Sequence, residues 1–169
     1  NKGVMNGVIA VANSTGQDSR AIEAAAQKLK GVASVTPLNR NTRFSKDFKS
    51  NISFKREDLQ DVRSYKIRGA YNKMSSLTAA EIENGIVCAS AGNHAQALAY
   101  HASRLGVSVK IVMPVYSPIV KIKSTEHWGA EVILTGDTFD DAMAHSKELV
   151  EQEGRVYIHP FDDALIAAG

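Results

Sequence analysis

The chain has 169 residues, of which 44% are hydrophobic and 22% are charged, the composition of a soluble globular protein with one domain or one domain and part of another. The net charge of +2 at pH 7 is too small to indicate a nucleic-acid partner, and no apolar run approaches the roughly 20 residues of a membrane-spanning helix. The single cysteine, Cys88, excludes an internal disulfide and fits a reducing compartment, so we expect a cytoplasmic protein.

The first part of the chain predicts few regular elements. Residues 1–17 show no lasting periodicity, and we expect them to form a weakly ordered lead-in. Asp18 or Ser19 can cap a helix that Gly31 closes. The predicted apolar face of this helix consists of Ile22, Ala25, Ala26 and Leu29. A short strand at 52–54 then precedes a second predicted helix at 68–77.

Strands and helices alternate regularly in the rest of the chain. Thr78 and Glu81 have the spacing of a capping box, which predicts a short helix ending at Gly85. The predicted strands cover 86–89, 107–113, 131–134 and 156–158, and the predicted helices between them cover 93–104, 118–129 and 138–154. The nearly continuous apolar run at 107–113 favours burial on both faces. This alternation predicts an α/β fold with a parallel sheet and helices on both of its faces.

Two segments carry the candidate chemistry. In residues 64–70 (SYKIRGA), Lys66 lies where extended chain gives way to a helix. A lysine at such a boundary can be withdrawn from bulk water, as a Schiff-base lysine requires, but an isolated lysine there is usually just solvated. Residues 89–96 (ASAGNHAQ) run from a strand into a helix, where free backbone N–H groups and the helix dipole favour an anion.

Together these segments resemble those of the threonine dehydratases (threonine ammonia-lyases), a family of fold-type-II pyridoxal-phosphate enzymes. The resemblance covers most of the chain after about residue 36, including 54–60 (FKREDLQ), 111–114 (IVMP) and 159–163 (HPFDD). Residues 135–140 (TGDTFD) favour the biosynthetic branch of the family. The resemblance implies a fold like that of the tryptophan synthase β subunit, with a small parallel-sheet domain and part of a larger domain.

The resemblance also implies roles for individual residues. Lys66 would bind pyridoxal 5'-phosphate covalently, and its amine, once freed, would act as general base for the substrate Cα proton. Tyr65 would lie against the cofactor ring, although core packing explains an aromatic residue there equally well. Asn93 would hydrogen-bond the ring oxygen of the cofactor. The substrate carboxylate would be held, largely by backbone groups, by Ser90, Ala91, Gly92, Asn93 and His94.

The implied activity is the dehydration and deamination of L-threonine to 2-oxobutanoate and ammonia, the first step of isoleucine biosynthesis, in a homo-oligomer. Serine dehydratase or serine racemase remains an alternative, because the lysine segment alone does not set substrate size. A catalytically inactive α/β module is a second alternative. We expect no metal, because the five histidines form neither a His-Glu-x-x-His pattern nor a cysteine-rich cluster. Nucleic-acid and membrane partners are not expected either.

The predicted domain organisation has four segments. The lead-in at 1–17 precedes a large-domain portion at 18–77, a small α/β domain at 78–160 and a return to the large domain at 161–169. In relatives the glycine-rich phosphate cradle and the partner of the pyridine nitrogen lie downstream, so we expect both outside these residues. Such a partial large domain would expose a strand edge and apolar surface, which predicts that the chain self-associates or is marginally stable. We interpret 56–58 as a site of structural ion pairs and Cys88 as a buried structural thiol.

Overall fold

The computed structural model describes residues 19–169, so the predicted lead-in and Asp18 lie outside the described residues. In chain order the described elements are α1 (Ser19–Lys28), β1 (Leu38–Arg40), α2 (Thr42–Asp47), β2 (Ser53–Lys55), a 3-10 helix (Glu57–Leu59), α3 (Lys66–Met74), α4 (Ala79–Asn84), β3 (Ile86–Ala89), α5 (Asn93–Leu105), β4 (Val109–Met113), α6 (Ile119–His127), β5 (Glu131–Leu134), α7 (Phe139–Glu153), β6 (Val156–Tyr157) and α8 (Ala164–Ala168).

The centre of the fold is a four-stranded parallel sheet in the order β5-β4-β3-β6. β3 pairs with β4 from Ile86 opposite Val109 onward, and β3 also pairs with β6. All four residues of β3 and four of the five residues of β4 are buried, because helices cover both faces of the sheet. The predicted parallel α/β fold, and burial of the second strand on both faces, are confirmed.

Alternate residues of the central strands enter two separate cores, as the two-residue period of a strand requires. On one face, Ile86 and Cys88 pack with α3, α5 and α6. On the other face, Val87 and Ala89 pack against α7. Cys88 is fully buried, and this burial raises the pKa of its thiol, so its interpretation as a structural residue is confirmed.

Capping residues fix several helix boundaries as predicted. Thr78 and Thr138 each form a capping box, with Glu81 and Asp141 respectively. The helix predicted at 68–77 instead covers Lys66–Met74, so it begins two residues earlier and ends three residues earlier. The strand predicted at 107–113 begins only at Val109, and the strand predicted at 156–158 ends at Tyr157.

The apolar face predicted for α1 is partly wrong. Ala25 and Leu29 are buried, but Ile22 and Ala26 are exposed. The helix therefore contacts the core through a narrower stripe than its sequence indicates, because a single short helix at the periphery covers little apolar surface.

β1, α2 and the 3-10 helix were not predicted, whereas the strand predicted at 52–54 is present as β2 at Ser53–Lys55. β1 and β2 pair antiparallel, and between them lies α2, which is capped by the Asn41 side chain accepting from the Phe44 N–H at 2.9 Å. The 3-10 helix carries Glu57, which forms an ion pair with Arg68 at 2.7 Å. Arg56 pairs with Asp58, so the expected structural ion pairs are confirmed.

The unpredicted helix α8 packs closely on α3. A Cβ added at Gly69 of α3 would lie 2.5 Å from the carbonyl oxygen of Ile166 in α8. The Asn72 side chain donates to another carbonyl of α8 at 2.7 Å, and Lys73 pairs with Asp163 at 2.8 Å. These contacts bring the last described residues beside the start of α3. The predicted division into domains at 77/78 and 160/161 stays a prediction.

Candidate active site

The order of the strands identifies a crevice at one edge of the sheet. From β3 the chain moves outward through α5, β4, α6 and β5, and α7 then crosses the opposite face so that β6 pairs on the other side of β3. The strand order therefore reverses between β3 and β6. In open α/β sheets, ligands bind at the carboxyl ends of the strands at such a reversal. Residues 90–94 and 158–160 occupy this position.

Lys66 reaches the crevice from the first turn of α3. Its Nζ donates a hydrogen bond of 2.6 Å to the carbonyl oxygen of Pro160, just after β6. The same Nζ lies 5.4 Å from the centroid of the Tyr65 ring. The next residue, Ile67, is fully buried, and its carbonyl accepts a 2.8 Å hydrogen bond from His101 of α5. Packing of α3 against α5 thus fixes the backbone that carries the lysine.

The loop after β3 leaves an open helix N-terminus. Gly92 is the N-cap residue of α5, and no side chain caps the helix there. The Ser90 hydroxyl accepts from the Gly92 N–H at 3.3 Å. A Cβ at Gly92 would meet no atom within 4 Å, so open space borders the loop. The first N–H groups of any helix lack intrahelical acceptors, and here they can bind a carboxylate.

His94 anchors α5 to the end of β6. Its side chain is only 3% exposed, and its Nε2 donates to the carbonyl of Ile158 at 3.1 Å. Because a carbonyl can only accept, Nδ1 carries the lone pair, and it has no hydrogen-bond partner among the described residues. Burial is the largest cause that lowers the pKa of His94 to about 4, and the nearby charge of Lys66 contributes to the same shift. The imidazole is therefore neutral at pH 7.

A cavity of about 220 Å³ joins several of these groups. Lys66, Tyr65 and His94 line it, together with Phe161 and part of α8. Whole ligand pockets commonly measure 300–1,000 Å³, so this cavity by itself is smaller than a typical ligand pocket. Tyr65 is 60% exposed, so it does not pack in the core formed by the described residues.

Only some of the predicted site residues line this cavity. Lys66, Tyr65 and His94 share the cavity, whereas Ser90, Ala91, Gly92 and Asn93 lie on the adjoining loop and helix start without lining it. The Asn93 side chain is exposed.

The predicted set of site residues omitted Pro160 and Phe161. Their signal was available in the sequence, because they directly follow a parallel strand, and the carboxyl ends of such strands carry ligand sites.

Among residues 19–169, no three histidine, cysteine, aspartate or glutamate residues come together as a group able to hold a metal ion. No helix within the same residues is long and apolar enough to cross a lipid bilayer.

Comparison with known proteins gives consistent matches. A family model described as pyridoxal-phosphate dependent enzyme matches residues 29–169. The biosynthetic L-threonine dehydratase of Bacillus subtilis is 51% identical over 146 residues, which cover 85% of this chain and 35% of that protein. The chain thus spans about a third of the length of this relative.

Solved structures also match this chain over most of its length. The processed form of threonine deaminase isoform 2 from Solanum lycopersicum has a TM-score of 0.81 and 41% identity, covering 90% of this chain and 43% of that one. Serine racemase from Dictyostelium discoideum has a TM-score of 0.82 and 33% identity, covering 89% and 49% respectively. Both likenesses confirm the predicted fold class.

Proposed function

The chain belongs to the pyridoxal-phosphate-dependent enzymes, and from this we propose that the whole protein converts L-threonine to 2-oxobutanoate and ammonia, with one water lost in the elimination and one taken up in the hydrolysis. The observation that carries the proposal is the placement of the Lys66 amine. It lies in a cavity at the carboxyl edge of the sheet, close to the open N-terminus of α5. The similarity to the B. subtilis dehydratase supports threonine as substrate.

The residues present suit the cofactor of the family. Lys66 offers a primary amine at the cavity, and Tyr65 presents an exposed ring beside that amine. Gly92 borders open space, so the loop leaves room for a ligand next to the helix N-terminus. Bound pyridoxal phosphate supplies an electron sink that stabilises negative charge on the substrate Cα. We propose that Lys66 would bind the cofactor covalently. Tyr65 would contact the cofactor ring, and Asn93 would donate a hydrogen bond to its ring oxygen.

The protein groups divide the remaining tasks. The first-turn N–H groups of α5, together with Ser90, Ala91, Gly92, Asn93 and His94, bind the substrate carboxylate. This contact holds the Cα–H bond toward Lys66, whose free amine takes the proton as general base. Departure of the β-hydroxyl and hydrolysis then give ammonia and the oxo acid. The neutral His94 side chain orients α5, while its backbone N–H contacts the substrate.

Oxo-acid formation by the whole protein tests this activity. We expect turnover of L-threonine with a higher kcat/KM than for L-serine, and loss of turnover in Lys66→Ala. A protein that binds the cofactor but makes no oxo acid from either amino acid would refute the proposal. Preference for serine would identify a serine dehydratase, and interconversion of the serine enantiomers would identify a racemase, which the D. discoideum likeness makes the second candidate.

A cofactor titration tests the lysine assignment separately. Adding pyridoxal phosphate to the whole protein should produce the saturable absorbance band of lysine-bound cofactor, and Lys66→Ala should abolish it. Lys123→Ala is the matched control, because Lys123 is an exposed lysine on α6, away from the cavity. A band that persists in Lys66→Ala would show that the cofactor reacts with other lysines.

We further propose that the protein is a homo-oligomer. Within the described residues β5 forms an edge of the sheet, and apolar side chains are exposed in β5 itself and in the segment 115–120 that follows β4. These exposed residues are Val115, Tyr116, Ile119, Val120 and Leu134. Sedimentation velocity should show a dimer or larger species, with Ile119→Glu shifting it toward the monomer; a wild-type monomer at all concentrations would refute this. The cytoplasmic location stays a prediction.

A further inference from the structure

We propose that His159 is a positioning residue for Lys66, and that it acts through the peptide group between Pro160 and Phe161. This inference rests on the proposed role of Lys66. It concerns how the chain aims the lysine amine before any ligand is bound.

The peptide group between Pro160 and Phe161 is held at both ends. Its carbonyl oxygen accepts the 2.6 Å hydrogen bond from Lys66 Nζ. Its N–H group donates to Nδ1 of His159 at 3.2 Å. No described peptide bond is cis, and in a trans peptide the N–H and C=O groups point in opposite directions. A peptide group whose N–H faces His159 therefore presents its oxygen away from that ring, toward the lysine.

His159 controls the one rotation that could misdirect this oxygen. The ring of Pro160 fixes its own φ near −65°, so ψ remains the main freedom that turns the peptide group. The hydrogen bond to Nδ1 fixes that ψ. The Asp162 N–H also donates to Nδ1, at 2.7 Å, which holds the turn in place. The imidazole is itself supported by the Phe161 ring, with centroids 4.6 Å apart and nearly perpendicular planes.

The two N–H groups that donate to His159 determine the tautomer of its imidazole. Nδ1 must carry a lone pair to accept from the N–H groups of Phe161 and Asp162, so the neutral ring has its hydrogen on Nε2. An amide oxygen can replace this acceptor, because asparagine commonly accepts from the N–H groups that follow it in turns. An alanine at 159 cannot.

The lysine depends on this carbonyl. Among the described residues the Pro160 oxygen is the hydrogen-bond acceptor of Lys66 Nζ. A lysine side chain has a flexible four-carbon stem and loses considerable conformational freedom when its amine is fixed. Without a correctly oriented acceptor, the amine samples other positions around the cavity, and fewer encounters with an aldehyde are productive. The histidine thus acts on the lysine without touching it.

Three variants test the proposal: His159→Ala, His159→Asn and, as a matched control, His145→Ala. His145 is a partly exposed histidine on α7 whose contact is with Glu148. Circular dichroism first establishes that each variant is folded. In the cofactor-free protein we then measure amide hydrogen exchange at Phe161 and Asp162 and the rate of Lys66 acetylation by a soluble acylating reagent. With added pyridoxal phosphate we measure the rate at which the lysine-bound band appears.

The expected pattern separates positioning from a merely structural role. His159→Ala should speed exchange at both amides about tenfold, speed Lys66 acetylation several-fold and slow band formation about tenfold, as expected when one hydrogen bond of ordinary strength is lost. His159→Asn should return all three rates to near wild type, and His145→Ala should leave them unchanged.

Two results would overturn the proposal. A folded His159→Ala protein with wild-type acetylation and band formation would show that the turn does not position Lys66. A folded His159→Asn protein that recovers amide protection but not Lys66 reactivity would show that the hydrogen bond stabilises the turn alone. If wild type itself gives no band, the proposed function fails, while exchange and acetylation still decide the role of His159.

Discussion

The close approach of α8 to α3 makes a strong prediction for Gly69→Ala. Gly69 lies inside α3, one turn after Lys66, in an ordinary helical conformation. The added Cβ would lie 2.5 Å from the carbonyl oxygen of Ile166, whereas ordinary contacts begin at 3.4 Å. The two helices must therefore separate by about 0.9 Å, the difference between these two distances. Because the obstructing atom belongs to the backbone, no side-chain rotation relieves the clash.

Two opposing effects determine how much Gly69→Ala changes the free energy of unfolding. Overpacking in a close-packed region costs about 1–3 kcal/mol, and a backbone obstacle at this distance belongs at the upper end. Replacing glycine by alanine within a helix stabilises it by about 1 kcal/mol. The net loss of unfolding free energy is therefore about 2 kcal/mol, or a fall in Tm of about 4–8 °C for a chain of this size.

Thermal unfolding followed by circular dichroism measures this loss, and Gly92→Ala is the matched control. Gly92 also has a negative φ, but a Cβ there meets no atom within 4 Å, so its Tm should change little. Amide exchange in α8 should rise in Gly69→Ala, because the Lys73–Asp163 ion pair and the Asn72 hydrogen bond also depend on the docking. A Gly69→Ala protein as stable as wild type, or more stable, would show that α8 does not dock as described.

Three further predictions concern buried or paired groups. Hydrogen bonds from Arg68 lower the pKa of Glu57 from 4.5 to about 2, so this pair should stabilise the fold above pH 4.5 and lose its effect as pH falls through about 2. Glu57→Gln should cost about 2 kcal/mol near pH 6, after allowance for partial screening, and almost nothing near pH 2; an equal loss at both pH values in denaturant unfolding would contradict this. Because burial lowers the pKa of His94 to about 4, the unfolded chain takes up a proton that the folded chain does not, and stability should fall as pH decreases from 6.5 to about 4. An NMR titration midpoint for His94 near 6.5 would be inconsistent with its burial. Cys88 should resist alkylation until the protein unfolds, because burial raises the pKa of its thiol, and rapid labelling of native protein would refute this.

The alternation of strands and helices after residue 85 was predictable because several local signals agree there. The capping boxes at Thr78 and Thr138 and the glycines at 85, 106 and 154 mark helix ends, and the apolar strands match a sheet covered on both faces. The earlier part of the chain was less predictable. β1 and α2 are only three and six residues long, too short for periodicity to reveal them, whereas the strand predicted at 52–54 is present as β2, shifted by one residue.

The candidate site was predictable in its chemistry but not in its assembly. Lys66 and the loop at 90–94 stood out as motifs with a chemical meaning. Nothing local to Lys66 indicates that its amine contacts Pro160, because the two are brought together by tertiary packing alone. The orientation of His94 was equally hidden, since a first-turn histidine can face solvent or the interior. His94 is buried because its ring contacts the carbonyl of Ile158, the residue directly after β6.

The separation of Lys66 and Pro160 along the chain has a consequence for biosynthesis. The two residues are 94 positions apart, and β6 joins the sheet only after β3, β4 and β5 have been made. At about 5–20 residues per second, a ribosome takes roughly 5–20 seconds to produce the intervening segment. Throughout this interval the amine on the nascent chain has no fixed acceptor. The growing polypeptide therefore completes the surroundings of Lys66 late, after the sheet and helices that support them.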